Sequence, residues 1–253
     1  MDLQLTDRRA IVTGGAGGLG LPIAHALAAE GVDVVLAGRT AETLERAAAE
    51  VAARSGRAAY AVVTDVRDDA AVRTLVDRTV ELLGGVDILV NSASDQSVGR
   101  GMPGLAGTTD DIFWDDVDTK LVGYLRTARA VAPHLVAQGW GRIVNIGGLG
   151  ARETRSIVRS VRNVGVAALT KNLAEELGPL GVNVTVVHPG LTRTEGLVFE
   201  ADQEVELAHN QLRRLVSAEE VADVVAFLAS PRSVSIQGDA VGVGGGASGV
   251  VHY

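Results

Sequence analysis

Short runs of β-branched and other apolar residues alternate with longer amphipathic segments along the whole chain. Uninterrupted apolar runs of this kind are typical of strands that are buried on both faces of a parallel sheet. Between them, apolar residues recur every three or four positions, as at Leu19, Ile23 and Leu27, which predicts amphipathic helices. The alternation predicts an α/β protein whose parallel strands are joined by right-handed crossovers. The predicted strands are 10–13, 32–37, 59–63, 86–90, 142–146 and 182–187.

The alternation continues without a Pro/Ser-rich linker, a charge block or a low-complexity tract, so residues 1–253 are predicted to form a single domain. The stretch 191–216 departs from this rhythm, because it follows a strand end and carries mixed charge. It is predicted to lie over the carboxyl edge of the sheet as a substrate lid. A surface insertion without a functional role is the open alternative.

The amino-acid composition excludes several classes of protein. The 253 residues are 47% hydrophobic and 21% charged, which is typical of a globular protein. The absence of cysteine excludes disulfide frameworks, thiolate metal sites and cysteine nucleophiles, and a formal net charge of −8 disfavours a nucleic-acid partner. The first residues lack the apolar core of a signal peptide, and no uncharged apolar run is long enough to cross a bilayer. A cytoplasmic protein without a membrane partner or a metal site is therefore predicted.

A glycine-rich segment, 13–20, joins the first predicted strand to the first predicted helix. Its glycines fit both the G-x-G-x-x-G and the T-G-x-x-x-G-x-G spacing. Glycine permits a tight turn and lets backbone N–H groups approach a pyrophosphate at the positive end of the helix. The segment therefore predicts a dinucleotide site, with a merely flexible turn as the alternative. The predicted cofactor-binding residues here are Gly14, Ala16, Gly17, Leu19 and Gly20.

The tip of the second predicted strand bears on the choice of dinucleotide. A carboxylate at this tip accepts hydrogen bonds from the adenosine ribose and repels a 2′-phosphate. The chain has Gly38 there instead, followed by Arg39, whose guanidinium can bind a phosphate. NADP(H) is therefore favoured over NAD(H). The alternative is that Arg39 is an ordinary exposed charge at the start of the next helix.

Five landmarks in order along almost the whole chain resemble the short-chain dehydrogenase/reductase family. They are the glycine-rich segment, Asp65-Val66, Asn91-Ser92-Ala93-Ser94, Pro189-Gly190 with Thr192 and Thr194, and the glycine run 242–246. The resemblance implies a Rossmann-type doubly wound sheet in three α/β/α layers and an NAD(P)(H)-dependent oxidoreductase acting on the carbonyl or alcohol of a small substrate. It also implies a homodimer or homotetramer formed through the predicted helices 112–137 and 157–177. It adds to the expected cofactor-binding residues Asp65, Val66, Asn91, Ala93, Pro189, Gly190, Thr192 and Thr194.

The chain departs from the family at all four catalytic positions. The proton-transferring Tyr is replaced by Arg159, and the Lys that assists it by Asn163. Gly148 replaces the Ser that polarises the substrate oxygen and offers only its backbone N–H, while Lys120 replaces an Asn. A guanidinium polarises an oxygen but does not exchange protons. If Lys120 and Asn163 face one another, an ammonium–amide pair survives with its ends reversed; otherwise the two substitutions are unrelated. The predicted catalytic residues are Lys120, Arg159 and Asn163.

Other candidate side chains near this region are assigned structural roles. Tyr124 lies one helical turn beyond Lys120 and is predicted to pack at a helix interface. His188 is predicted to be a structural residue bonded to backbone. If the segment is helical throughout, one helical side carries a row of arginines, which indicates either an anionic substrate or a solvated or subunit-contacting face. This row is Arg152, Arg155, Arg159 and Arg162.

Three functions remain open from the sequence. The first is an oxidoreductase whose proton donor has been rearranged, with Lys120 or bound water in that role. The second is a lyase, isomerase or cyclase on the same scaffold, in which Arg159 stabilises developing negative charge. The third is a catalytically inactive protein that senses a cofactor and acts through a partner. Retention of the cofactor landmarks favours the first.

Overall fold

The computed structural model describes residues 1–94, 104–154, 156–194 and 210–246. Seven of its strands form one sheet in the order β3-β2-β1-β4-β5-β6-β9, and all neighbouring strands are parallel. Two further strands, β7 and β8, pair in a separate short ribbon. In chain order the strands are β1 (Arg9–Thr13), β2 (Asp33–Gly38), β3 (Ala59–Val63), β4 (Ile88–Asn91), β5 (Gly141–Ile146), β6 (Val182–Pro189), β7 (Thr192–Arg193), β8 (Val216–Ser217) and β9 (Ala240–Val243).

Helices cover both faces of the sheet. One face packs against α1, α2 and α7 through side chains such as Leu27, Leu44 and Val221, and the other against α3, α5 and α6 through side chains such as Leu75 and Val131. The predicted doubly wound, three-layer fold is confirmed. The helices are α1 (Gly20–Ala29), α2 (Ala41–Ser55), α3 (Asp69–Leu83), α4 (Asp110–Val117), α5 (Gly123–Ala137), α6 (Ile157–Leu177) and α7 (Ala218–Ala229).

The structure differs from the predicted strands in two respects. The third predicted strand is not buried on both faces, because β3 is an edge strand on which Tyr60 and Val63 are exposed. The β7–β8 ribbon was not predicted, and it joins the two ends of the stretch 191–216. Residues 195–209 of that stretch lie outside the described residues, so the substrate lid stays a prediction.

A buried carboxylate connects two strands by hydrogen bonds at the amino edge of the sheet. Asp87 immediately precedes β4, and its oxygens accept hydrogen bonds from the backbone N (2.9 Å), Nε (2.6 Å) and Nη2 (3.0 Å) of Arg9 in β1. Arg8 approaches the same carboxylate at 3.5 Å. The start of two central strands therefore depends on one buried carboxyl group.

Replacing Asp87 with alanine is expected to lower the free energy of unfolding by about 2–4 kcal/mol, because a buried backbone N–H and part of a guanidinium lose their acceptor. Urea denaturation with matched m-values measures the change. Exposed Asp77 on α3 provides the control, since Asp77→Ala is expected to stay within about 0.5 kcal/mol of the wild type. Equal midpoints for the two variants would contradict the role of Asp87.

Candidate active site

The strand order reverses between β1 and β4, and the loops that follow these two strands meet at the carboxyl edge of the sheet. Thr13 joins them, because its Oγ1 accepts hydrogen bonds from the backbone N of Ser92 (3.0 Å) and of Ala93 (3.1 Å). Ligands of open α/β sheets bind in the crevice at such a reversal. The structure thus brings together the glycine-rich segment and the Asn91–Ser94 segment, as expected of a dinucleotide site.

The glycine-rich turn is closed on one side and open on the other. Gly14 and Gly18 have φ of 65° and 56°, in the left-handed region that favours glycine. A Cβ on Gly20 would collide with the carbonyl oxygen of Gly14, so the turn is compact only with glycine at this position. At exposed Gly17, in contrast, a Cβ would meet nothing within 4 Å. The open side lies before the N-terminus of α1, where backbone N–H groups bind phosphates.

The predicted adenosine end of the crevice carries two guanidinium groups. A Cβ on Gly38 would touch only the Leu44 side chain, at 3.5 Å, and exposed Arg39 follows. Arg67, which the sequence reasoning missed, donates to Asp65 through Nε (3.1 Å) and Nη2 (2.8 Å). This hydrogen bonding lowers the pKa of Asp65, and the charge of Arg39 adds to the effect. The predicted adenine-side residue is therefore an ionised carboxylate held in place by a neighbour.

The side chain of Asn91 forms hydrogen bonds within the protein core. Its Nδ2 donates to Asn145 Oδ1 on β5 (2.9 Å), and its Oδ1 accepts from Thr127 Oγ1 on α5 (2.7 Å). Asn91 is fully buried. Asn91 is a predicted cofactor-binding residue, and only its backbone atoms are therefore available to contact a dinucleotide.

The predicted nicotinamide segment lies beside the last strand. Gly190 donates its N–H to the Val243 carbonyl (2.9 Å), and a Cβ on Gly190 would come within 2.9 Å of Gly244 Cα. Thr192 Oγ1 donates to the Gly190 carbonyl (3.0 Å), and Thr194 follows β7. The structure thus places Pro189 and Gly190 at the carboxyl edge together with the terminal glycine run.

Lys120 lies in a π-helical turn, Asp118–Val122, that joins α4 to α5. π turns inside α-helices occur frequently at functional sites. Lys120 is only 4% exposed, and its Nζ donates a hydrogen bond of 2.7 Å to the Gly147 carbonyl just beyond β5. Burial and the charges of Arg162 and Arg159 lower the pKa of Lys120 well below its usual range, while Asp116 opposes them.

Two arginines of α6 approach Lys120. Arg162 is buried and forms an ion pair with Asp116 of α4, while its Nε lies buried without a partner in the described structure. Arg159 is partly buried, and burial followed by the charge of Arg162 lowers its pKa. A guanidinium nevertheless remains protonated in proteins, so Arg159 supplies a fixed positive charge.

The condition for a row of four arginines on one helical side is not met, because the segment is not helical throughout. The helix α6 begins at Ile157, where the Ser156 Oγ accepts from the backbone N of Arg159 (3.3 Å) and caps the first turn. Arg152 comes before this cap and is not part of the helix. Arg155 lies outside the described residues.

Asn163 occupies the space that a side chain at position 148 would need. A Cβ on Gly148 would come within 2.9 Å of Asn163 Nδ2, and Asn163 Oδ1 is buried without a hydrogen-bond partner in the described structure. Lys120 and Asn163 thus converge on the dipeptide Gly147-Gly148. No hydrogen bond between their side chains is present in the described part of the chain, so Lys120 and Asn163 do not form the conditional ammonium–amide pair by direct contact.

His188 and Tyr124 have the structural roles that were predicted. His188 is 1% exposed, and its Nδ1 accepts the backbone N–H of Gly148 at 3.0 Å. The backbone N–H that Gly148 offers as its sole donor is therefore already used within the protein. Tyr124 is buried and donates to the Ile146 carbonyl (3.1 Å); burial raises the pKa of its phenol, which makes it a poor proton donor.

The buried imidazole makes the fold sensitive to acid. Burial, with the charges of Arg152 and Lys120, lowers the pKa of His188 from 6.5 to about 4. As the pH falls from about 6.5 towards 4, the unfolded chain binds a proton at His188 that the folded chain does not, so stability decreases. By pH 4 the loss from this group is expected to reach about 3 kcal/mol. Urea denaturation across this range measures it.

In His188→Asn the acid-dependent loss specific to His188 is expected to disappear, because asparagine does not titrate there. The curve of unfolding free energy against pH should then be flatter than that of the wild type by the same amount. Parallel curves for the two proteins would contradict a low folded-state pKa.

The chain was compared with known proteins. The family described as enoyl-(acyl carrier protein) reductase matches residues 14–248. The 3-oxoacyl-(acyl-carrier-protein) reductase of Aquifex aeolicus is 31% identical over 259 residues, which cover 97% of this chain and 99% of that protein. This chain belongs to the short-chain dehydrogenase/reductase family.

Solved structures agree with this short-chain dehydrogenase/reductase assignment. The L-sorbose reductase of Gluconobacter frateurii, complexed with NADPH and L-sorbose, has a TM-score of 0.92 at 26% identity, covering 99% of this chain and 100% of its own. A short-chain dehydrogenase from Burkholderia cenocepacia in complex with NADP has a TM-score of 0.86 at 33% identity, covering 96% and 98%. The predicted class, an NAD(P)(H)-dependent oxidoreductase of small substrates, is confirmed, and these relatives give no support to the lyase or sensor alternatives.

The residues of the crevice fit the dinucleotide that this family uses. The buried Oδ1 of Asn163 has no donor in the described structure, and a ribose hydroxyl would supply one. The open side of Gly17 leaves room against the N-terminus of α1. Within the described ranges, no helix is long and apolar enough to cross a membrane.

Proposed function

We propose that this short-chain dehydrogenase/reductase reduces the carbonyl of a small substrate with NADPH and that Lys120 exchanges the proton. The observation that supports it is the buried amine at the carboxyl end of β5, hydrogen-bonded to the Gly147 carbonyl. When bound, the dinucleotide supplies a hydride to the carbonyl carbon. Lys120 gives a proton to the oxygen, and the same group accepts it when the alcohol is oxidised.

The lowered pKa of Lys120 suits this role. An amine with an ordinary pKa holds its proton too tightly near neutral pH, whereas a proton donor works best when its pKa lies near the working pH. Arg159 keeps its charge and stabilises the negative charge that develops on the substrate oxygen. Asn163 Nδ2 lies where the side chain of the missing Ser would be and donates to the same oxygen, while its Oδ1 accepts from the nicotinamide ribose.

The remaining predicted site residues hold the cofactor. The backbone of the glycine-rich turn binds the pyrophosphate, and Arg39 binds the 2′-phosphate. Asp65 and Val66 flank the adenine. The nicotinamide end is held by Asn91 (through its backbone), Ala93, Pro189, Gly190, Thr192 and Thr194.

A preference for NADP(H) over NAD(H) is part of the proposal. It is supported by the lack of a carboxylate at Gly38, by exposed Arg39, and by the presence of NADP or NADPH in the similar structures. Gly38→Asp tests it without distorting β2, since a Cβ there makes only ordinary contact with Leu44. The ratio of Kd for NADH to Kd for NADPH is expected to fall at least about tenfold, because the carboxylate repels the 2′-phosphate. An unchanged ratio would contradict the placement of the phosphate.

The substrate is proposed to carry an anionic group. The Lys120 amine lies near two guanidinium groups, those of Arg159 and Arg162, and near the carboxylate of Asp116. A partly buried site with this excess of positive charge favours a carboxylate or phosphate bound by the guanidinium fork of Arg159.

Assembly into a homodimer or homotetramer is also proposed. The segment from α4 to α5 and helix α6 expose apolar side chains to solvent, and clusters of this kind mark protein interfaces. They are Trp114, Leu125, Ile157, Val161 and Val164. Analytical ultracentrifugation across a concentration series tests the assembly.

The reaction itself is tested by following NADPH absorbance with 2-oxo and 3-oxo acids, their esters and neutral ketones. Turnover of at least one carbonyl is expected, with the acids used more efficiently than their esters. Tight NADPH binding without turnover of any compound would overturn the proposed reaction. Equal efficiency for acids and esters would overturn only the anionic substrate class.

A further inference from the structure

One peptide group links two buried titratable side chains beyond the end of β5. The N–H of Gly148 donates to His188 Nδ1 at 3.0 Å. The carbonyl at the other end of the same peptide group, that of Gly147, accepts from Lys120 Nζ at 2.7 Å. The peptide group is therefore held between β6 and the π turn, and both of its polar atoms are satisfied.

The imidazole packs directly on this peptide group. A Cβ on Gly147 would collide with His188 Nδ1, so the ring occupies the space of the missing side chain. Gly147 is itself fixed on its amino side, because its N–H donates to the Val187 carbonyl at 2.7 Å. The peptide group that follows lies between two glycines, whose backbone dihedrals are the least restricted. Without an acceptor for the Gly148 N–H, little in the local chain holds the direction of the Gly147 carbonyl.

We infer that His188 is a positioning residue: by accepting the Gly148 N–H it directs the Gly147 carbonyl towards Lys120 and thereby sets the position and proton affinity of the amine. The inference deepens the proposed function, because it concerns the group that is proposed to exchange the proton. The link itself concerns only atoms of this chain. It is measurable without substrate or dinucleotide.

The charges around the two groups are compatible with this role. Nδ1 accepts a hydrogen bond only while it carries no proton. Arg152 and Lys120 face the imidazole, and together with burial they lower the pKa of His188 to about 4. Nδ1 therefore remains an acceptor throughout the neutral range. Lys120 in turn faces two cations and one carboxylate, which are Arg162, Arg159 and Asp116.

The small number of lysines allows the titration of Lys120 to be measured directly. Lys120 and Lys171 are the only lysines in the sequence, and the side chain of Lys171 is 57% exposed. A protein labelled with ¹³C-lysine should therefore give two Cε resonances. Lys120→Arg removes one of them and assigns the other. In the wild-type protein, without any ligand, the Lys120 resonance is expected to titrate at a lower pH than that of Lys171.

Three variants separate positioning from packing. His188→Asn keeps an acceptor near the place of Nδ1, His188→Leu keeps volume without an acceptor, and His188→Gln moves the acceptor one bond farther out. In the Leu and Gln variants the Lys120 midpoint is expected to fall by about one to two pH units, because the ammonium loses a charge-assisted acceptor. In the Asn variant it is expected to stay within about half a unit. Lys171 is the internal control and should not move.

A folded Leu variant with an unchanged Lys120 midpoint would overturn the inference; if that variant does not fold, the same result in the Gln variant decides. Equal shifts in all three variants would also overturn it, since they would reflect general loosening. In enzyme assays, loss of the acceptor should lower kcat and shift its pH profile with little change in the KM for NADPH. If no carbonyl is turned over, the proposed function fails, while the resonance measurement still decides the role of His188.

Discussion

Replacing Lys120 with methionine is expected to lower kcat by about 10²–10⁴-fold, the usual contribution of a positioned proton donor. Methionine has a similar length and volume, and it removes a buried amine that burial and two arginines already disfavour in its charged form. The fold should therefore survive. The Kd for NADPH is expected to change by less than about threefold, because the contacts proposed for the cofactor are mainly with the glycine-rich turn and Arg39. Steady-state kinetics and calorimetry measure the two effects separately.

Lys171→Met is the matched control, since it makes the same change at the exposed lysine of α6 and should leave kcat unaltered. Lys120→Arg is the second comparison. It restores a cation that cannot release its proton, so it should be as inactive as Lys120→Met if proton exchange is the role of the amine. Full activity of Lys120→Arg would instead show that only positive charge is needed at this position.

The sequence was sufficient to predict the parts of the molecule that depend on local pattern. Helix α6 begins and ends at the predicted residues, Ile157 and Leu177, and the glycine-rich segment joins β1 to α1 as expected. Both have strong signals within a short window, namely a long apolar period and five glycines between a strand and a helix. The sequence also contains a signal against four arginines aligned on one helix. Ser156 before an apolar run is a helix-start signal, and Arg152 precedes it.

The contacts that define the catalytic site depend on tertiary packing. The His188–Gly148 bond joins residues 40 positions apart, and the ion pair between Arg162 and Asp116 joins residues 46 apart. Periodicity carries no information on which side chains meet at these separations. The π turn that holds Lys120 is likewise a small departure from an otherwise continuous helix, and nothing in the local residue pattern distinguishes it.

Three of the four departures from the family, those at Lys120, Gly148 and Asn163, are not independent of one another. Asn163 fills the space beside Gly148, so a serine at position 148 would displace the amide unless Asn163 changed as well. The N–H of Gly148 donates a hydrogen bond to His188, and the Gly147 carbonyl accepts one from Lys120. Restoring a single family residue therefore disturbs a connected set of contacts. This coupling favours the interpretation of these three substitutions as one rearranged site over that of three separate losses.

Replacing Gly20 with alanine is expected to raise the Kd for NADPH by about tenfold to a hundredfold. The added Cβ collides with the Gly14 carbonyl oxygen, so the turn has to open where its backbone N–H groups are closely packed against α1. Because the strain is confined to one turn, the free energy of unfolding should fall by about 1–3 kcal/mol. Calorimetric titration with NADPH measures the Kd, and urea denaturation measures the stability.

Gly104→Ala is the control for the loss of glycine itself, because a Cβ there meets nothing within 4 Å and the φ of −67° suits any residue. Its Kd for NADPH should match that of the wild type. Unchanged NADPH binding in Gly20→Ala would mean that the dinucleotide does not depend on the geometry of this turn. The cofactor site would then have to be placed elsewhere along the carboxyl edge, and the roles proposed for Arg39 and Asn163 would fail with it.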